Sequence, residues 1–369
     1  MKNEKVKGFS DYTGDEAEKR TEIKKILVET FEKYGFEPAE TPIIEYEEFV
    51  KGENERDEAV SDIFKLSDKG KRKLALRYEF TFQLKRIAKN KKLPYRRYQI
   101  GSVFRDEPVS ENRFREFTQC DADIIGSTIK DEGEILAMAS EIMKKLGIKN
   151  KINVNNRRLL NEILNKENIK DVNEVLREID KLDKLPEKEI KENLKKYNAE
   201  KILDIIKKPE SFFKRYKSYS EILELKKSCK SYGVDVKFRP SLVRGLSYYN
   251  GSVFETQAIA GGSYLINNIQ STGISFGVER LCMLAKIKTK KEKILVVSLS
   301  KNAEAIKLAQ ELRNSENSVT IYYGKPSKAL EYANSYKIQK AVFVGKKEVK
   351  LKTFKVKDLK TGKESILKI

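Results

Sequence analysis

Ile23, Ile26, Leu27, Phe31 and Tyr34 recur at intervals of three and four along DEAEKRTEIKKILVETFEKYG. That spacing lines one face of a helix and predicts a helix over 15–35, with Gly35 as its stop. FEPAETPIIEYEEFV follows as a short extended apolar stretch. Pro42 inside it suits a strand edge or an interface more than a central strand. Residues 95–126 alternate instead: YRRYQIGSVFRDEP, a polar gap, then FREFTQCDADIIG. Alternation predicts two antiparallel strands joined by a long loop, the second ending at Gly126.

Over 151–235 the pattern becomes helical and Glu/Lys-rich, as in NEVLREIDKLDKL and EIKENLKKY, and reads as a helical insert with solvated charged faces. β-like sequence returns over 237–285, with glycines at 245, 251, 261, 262, 273 and 277. The lysine-rich stretch KIKTKKEK then marks a domain boundary. Beyond it, ILVVSL, NAEAIKLAQELRN, SVTIYY, PSKALEYANSYK and AVFVG alternate strand and helix, the pattern of a small α/β domain.

Length and composition narrow the chemistry. A chain of 369 residues suggests two or three domains. It contains no histidine, which excludes a Ser-His-Asp triad, a Cys-His dyad, a histidine metal ligand and an imidazole base. Catalysis is left to carboxylates, arginines, backbone, substrate groups or bound Mg²⁺. Cys120, Cys229 and Cys282 are sparse and unpaired in spacing, as expected of reduced thiols in a cytoplasmic protein. No leader-like apolar run follows the first lysines, and no apolar run is long enough to span a membrane. The 76 Lys and Arg against 56 Asp and Glu give +20. Residues 291–369 hold 17 Lys and 1 Arg against 8 acids, so +10 of it lies there. A basic terminal module points to a polyanion, nucleic acid first, although lysine is abundant throughout.

Four segments carry candidate chemistry: LRYEFT (76–81), VFRDEPVSENRFREFTQCDAD (103–123), LVRGLSYYNGSVFE (242–255) and GISFGVERLCMLAK (273–286). Alone, each also reads as surface ion pairs or a helix start. Together, Arg105, Glu107, Arg113 and Phe117 suit a nucleoside triphosphate. Arginine clamps phosphate, phenylalanine stacks on a base, and the carboxylate reads the adenine amine or positions Mg²⁺. Arg280 could take the terminal phosphate. No P-loop or well-placed GxGxxG is present.

These blocks resemble the class II aminoacyl-tRNA synthetases, and specifically the histidyl-tRNA synthetase family, from KGFSDYTGDEAEKR to VKDLKTGKE. The specific parts are FRDE…FREFTQCDADIIG, RGLSYYNGSVFE and FGVERL. LRYEFT and QCDADIIG look like the archaeal or eukaryotic branch. The resemblance implies an α+β fold: an antiparallel sheet flanked by helices over 1–290, a helical insertion at about 166–232, and an α/β anticodon-binding domain over 291–369. It implies a homodimer formed through 34–42, ATP and Mg²⁺ as cofactors, and L-histidine and tRNA(His) as partners. Site by site, it implies that Glu79, Thr81 and Gln119 hold the α-amino group. Asp123 and Tyr249, with Tyr248 beside them, face the imidazole. Arg105 and Arg244 are the catalytic arginines at the carboxylate and α-phosphate, and Arg105, Glu107, Arg113, Phe117 and Arg280 bind ATP. The loop 108–112 would approach the acceptor stem, and Lys325, Lys328, Lys346 and Lys347 would approach tRNA phosphates. Ser247, Ser263 and Leu265 depart from the family pattern, as if one ion pair were replaced by smaller groups. A histidine-binding regulatory paralogue of the histidine-biosynthesis phosphoribosyltransferase is the alternative. Retention of Arg105, Arg113, Arg244 and Arg280, and of the basic tail, favours the enzyme.

Overall fold

The computed structural model describes residues 3–52, 58–110, 113–149, 151–244, 248–287, 292–315 and 317–368. The chain divides into two compact units, Met1–Ile287 and Lys288–Ile369.

The first unit is organised by an eight-stranded sheet. Its spatial order is Glu37–Pro38, Tyr95–Phe104, Glu116–Ile125, Ile269–Gly277, Ile259–Ile266, Tyr249–Glu255, Ile152–Asn156 and Val236–Phe238. The six inner strands pair antiparallel. The expected antiparallel sheet is therefore completed by one parallel strand at each edge.

The alternation in QCDADII decides what each face does. Cys120, Ala122 and Ile124 are buried in the main core, beneath Gly14–Lys33 and Ile129–Lys145. Those helices contribute Ile23, Leu27 and Phe31, and Ile135, Ala139 and Ile142. Gln119, Asp121 and Asp123 point to the opposite face, because successive side chains of a strand alternate. Thr128 and Asp131 close a capping box at the start of the second helix, the Thr128 backbone N–H donating to Asp131 at 2.8 Å.

INVNN, read above as part of the helical insert, is instead the strand Ile152–Asn156. Ile152 and Val154 alternate into the main core, and the short run carries too little periodicity to separate strand from helix. Asn156 then caps Arg157–Lys166 by accepting from the Arg158 and Leu159 amides. The helices from Arg157 to Ser231 enclose a core of their own, including Leu160, Ile163, Leu194, Phe213 and Tyr219, with Phe238 and Val243 joining it. In the last helix, Tyr219–Ser231, Ile222 belongs to that core while Leu225 and Cys229 belong to the main one.

A three-stranded sheet of Ile44–Tyr46, Lys73–Leu76 and Lys65–Ser67 completes this unit. Pro42 precedes its first strand and lies outside it. The second unit has strands in the order Ser318–Tyr323, Lys293–Ser298, Lys340–Val344, Thr353–Asp358 and Glu364–Lys368. The first three are parallel, with helices in the connections as the alternating pattern of a small α/β domain requires, and the last two are antiparallel. Val296 and Leu295 of Lys293–Ser298 feed separate cores, one for each face.

Candidate active site

The polar face of Glu116–Ile125 forms the floor of a cleft of about 670 Å³ in the first unit. Register sets its chemistry. Arg97 lies opposite Asp123 on one side, and Gly273 lies opposite it on the other. Arg97 is fully buried and holds Asp123 Oδ2 at 2.8 Å. Tyr264 donates its hydroxyl to Asp123 Oδ1. Glycine is required at 273 because a Cβ there would fall well inside contact with Asp123 Oδ1 and 2.9 Å from Tyr264 Oη. Gln119 Nε2 donates to Asp121 Oδ2 at 2.9 Å.

One wall comes from the junction between Lys73–Leu76 and Thr81–Ile87, which presents Glu79 and Thr81. The other carries Tyr248, Tyr249 and Tyr264, with ring centroids 4.7–6.4 Å apart. Tyr248 Oη donates to Glu79 Oε2 at 3.2 Å. Burial, then the nearby Asp121 charge, pushes Glu79 up to about 7, against the pull of Arg105. Asp121 is likewise pushed up to about 7, by burial and then by Asp123. Burial raises Asp123 too, opposed by Arg97 and by the Tyr264 hydrogen bond. The floor is therefore rich in carboxyls and poor in cations.

The mouth has the opposite sign. Arg105 sits 5.0 Å above the Phe117 ring and donates through Nε to the Tyr78 carbonyl at 3.3 Å. Glu107 lies between two arginines, 4.0 Å from Arg105 and 3.5 Å from Arg113. Arg244 pairs with Glu255 at 2.9 Å. Arg280 lines the same cleft from Val278–Leu284. That short helix is anchored by Glu279, which accepts from the Thr118 amide and from Arg20 at 2.8 Å.

All twelve residues expected from the sequence to bind histidine or ATP line this one cleft: Glu79, Thr81, Arg105, Glu107, Arg113, Phe117, Gln119, Asp123, Arg244, Tyr248, Tyr249 and Arg280. Three departures separate. Ser263 turns away, its hydroxyl bonding buried Glu132 at 2.5 Å. Leu265 is exposed. Ser247 lies outside the described residues, as do positions 111 and 112 of the 108–112 loop. Sequence reasoning missed Arg97, Asp121, Tyr264 and Glu255. The signal for Asp121 was present, since it shares the two-residue period of Gln119 and Asp123. Among the described residues no cluster of three or more acidic or cysteine side chains could hold a metal by itself. A Mg²⁺ bound through nucleotide phosphates and one or two carboxylates fits this donor set, with Glu107 and Glu255 at hand.

The antiparallel sheet, with an arginine-lined cleft on one face and helices on the other, is the fold of a class II synthetase. The histidyl-tRNA synthetase family model matches residues 8–281, and the anticodon binding domain model matches 293–369. Histidine–tRNA ligase 1 of Bacillus cereus is 31% identical over 99% of this chain and 97% of its own. Histidine–tRNA ligase 2 of Shouchella clausii is 32% identical over 97% and 96%. A solved histidyl-tRNA synthetase from Nostoc sp. shares the fold, with a TM-score of 0.86 at 23% identity, covering 100% of this chain and 97% of that one. The chain belongs to the histidyl-tRNA synthetase family. These relatives are bacterial.

Proposed function

We propose that this protein activates L-histidine with ATP and transfers the histidyl group to tRNA(His). The observation that carries this reading is the polarity of the cleft: carboxyls on the floor, arginines at the mouth. An amino acid entering ammonium-first meets the floor, and its carboxylate then lies among the arginines with the α-phosphate.

Glu79, Thr81 and Gln119 hold the ammonium, and Tyr248 steadies Glu79. Asp123 keeps lone-pair capacity for a ring N–H beyond its ion pair with Arg97 and its hydrogen bond from Tyr264, while Tyr249 donates to the other ring nitrogen. Such a site rejects ring isosteres, because they leave buried polar groups unpaired. The histidine carboxylate oxygen attacks the α-phosphorus, a P–O bond forms, and pyrophosphate leaves with the electron pair of the broken bond. Arg105 and Arg244 neutralise the charge on the phosphoryl oxygens. No enzyme base is needed, in keeping with a chain that lacks histidine. Phe117 stacks on adenine, Glu107 and Arg113 hold the nucleotide, and Arg280 meets the terminal phosphate; a Mg²⁺ held by the phosphates with Glu107 or Glu255 would offset phosphate charge. The ribose hydroxyl of the tRNA 3′ end then attacks the acyl carbon, and AMP departs.

In this reading residues 1–290 are the catalytic domain, with an insertion at about 166–232, and 291–369 bind the anticodon. Lys325, Lys328, Lys346 and Lys347 meet tRNA phosphates, and two copies pair through 34–42 in the cytoplasm. Cys120, Cys229 and Cys282 are not joined in disulfides, an arrangement a reducing compartment allows. Light scattering tests the dimer. The archaeal or eukaryotic affiliation rests only on LRYEFT and QCDADIIG.

Fold alone does not separate enzyme from regulator. A Bacillus halodurans ATP phosphoribosyltransferase regulatory subunit/histidyl-tRNA synthetase has a TM-score of 0.77 at 22% identity over 92% of this chain. The four retained arginines and the anticodon domain match favour the enzyme. Amino-acid-dependent ATP–pyrophosphate exchange decides. Exchange with histidine alone among the amino acids supports ligation; histidine binding without exchange overturns it in favour of the regulator.

A further inference from the structure

We propose that Asp121 is a second carboxylate ligand of the substrate's α-ammonium group, acting together with Glu79. The inference rests on the histidine-activating reading of the cleft and adds to it a residue that the sequence motifs did not single out.

Four observations converge on Asp121. It stands between Gln119 and Asp123 on the cleft face of Glu116–Ile125. Its side chain is 3% exposed, so any charge on it must be met by a partner in the cleft. Gln119 Nε2 fixes Oδ2 at 2.9 Å, and the Ser275 side chain lies beside the carboxyl. Oδ1 has no hydrogen-bond partner among the described residues and is buried. A buried carboxylate oxygen without a donor costs free energy until a donor arrives.

The neighbouring cations are committed elsewhere. Arg97 is held on Asp123, whose second oxygen takes the Tyr264 hydroxyl. Arg105 is turned to the Tyr78 carbonyl and toward Glu107. Arg244 is paired with Glu255. Glu79 and Asp121 are left close enough for the charge on Asp121 to disfavour ionisation of Glu79, with only the neutral donors Tyr248, Gln119 and Ser275 found for them among the described residues. Two such carboxyls call for a cation with several N–H donors. An α-ammonium supplies three, enough for Glu79, Asp121 and the Thr81 hydroxyl at once, with Gln119 contributing through Asp121, which its Nε2 holds. The imidazole is a weaker match, because a neutral ring offers one N–H and Asp123 and Tyr249 already answer its two nitrogens.

The test is calorimetric binding of three compounds to the full-length wild type and to Asp121→Asn. They are L-histidine, imidazolepropionate, which lacks the ammonium, and pyrazolylalanine, which keeps the ammonium and alters the ring. In the variant, histidine affinity should fall by about 10- to 100-fold while imidazolepropionate changes little, so the preference for an ammonium shrinks. The preference for imidazole over pyrazole should hold. An unchanged ammonium preference in the folded variant would overturn the proposal, as would collapse of the ring preference or wild-type protein that ignores the ammonium. Asp121→Ser carries the same comparison if the asparagine variant fails to fold. Pyrophosphate exchange run alongside keeps the two claims apart. Absent exchange in the wild type, with its ammonium preference present and reduced in Asp121→Asn, removes the ligase reading and leaves Asp121 as the ligand.

Discussion

Replacing Arg97 with methionine should unfold the catalytic unit more easily than any surface change, and the cost should largely vanish when Asp123 is neutralised as well. Arg97 is fully buried, with its Nη2 2.8 Å from Asp123 Oδ2. At an effective dielectric of about 20, Coulomb's law puts their attraction at ~6 kcal/mol before desolvation offsets it. Removing one member strands the other's charge, at about 3–5 kcal/mol. Asp123 would be stranded beside Asp121, whose own ionisation is already disfavoured by burial and by Asp123. Asp123→Asn has the reverse defect. It leaves a buried guanidinium whose Nε and Nη1 have no hydrogen-bond partners among the described residues. Arg97→Met/Asp123→Asn removes both charges and should lie within about 2 kcal/mol of wild type. Urea unfolding followed by far-UV circular dichroism gives the three stabilities, and the double-mutant cycle should yield a coupling of about 3 kcal/mol or more. Additive losses, with coupling under about 0.5 kcal/mol, would refute the view that this pair organises the floor.

Three further outcomes are expected. Burial, and then the neighbouring carboxylates, push Glu79 and Asp121 up to about 7, well above the ordinary carboxylate range. The native state therefore binds more protons than the unfolded chain between about pH 4 and 7, and stability falls as pH rises through that window. Melting temperature should be higher near pH 6 than near pH 8, with the difference reduced in Glu79→Gln. Below about pH 4 the trend should reverse, because Glu162, in which burial is outweighed by hydrogen bonds from the Ser218 and Lys217 amides so that it is lowered to about 2, loses its stabilising charge. Gly273→Ala drives a methyl into Asp123 and Tyr264 and should raise the KM for histidine at least about tenfold with little change in the KM for ATP, read by pyrophosphate exchange. Affinity for tRNA should fall steeply between about 50 and 200 mM salt, measured by filter binding. A flat profile would remove the basic second unit from the interface.

The readable parts of this molecule are those with a strict period. The hairpin over 95–126 follows from alternation, and the three parallel strands of the second unit follow from short buried runs bounded by helices. Ile152–Asn156 was not legible, because two alternating apolar residues resemble the start of the helical segment behind them. Arg97 was hidden differently. It stands beside Arg96 in YRRYQ, and the strand sends the two to opposite faces. Arg96 reaches Asp131 and Glu134 on the helical side, while Arg97 turns to Asp123. Which arginine faces which side depends on pairing register, a long-range property. Ser263 looked like a loss at the site because the family pattern places a larger group there. The alternation of its strand instead aims it at Glu132.

The helical insert has a bearing on how far this enzyme could be trimmed. Val243 is embedded in the insert's own core, Leu242 packs in the cluster that holds Tyr249, and Arg244 follows directly at the cleft. Three consecutive residues are thus moored in three different places. Excising the helices from Arg157 to Ser231 would uncover Val243 and Phe238 and release the anchor one peptide away from Arg244. A shortened engineered synthetase would need a replacement apolar seat for Val243 before its arginine could be relied on, and it would also lose Ile179, Asp180 and Leu182 from the cleft lining.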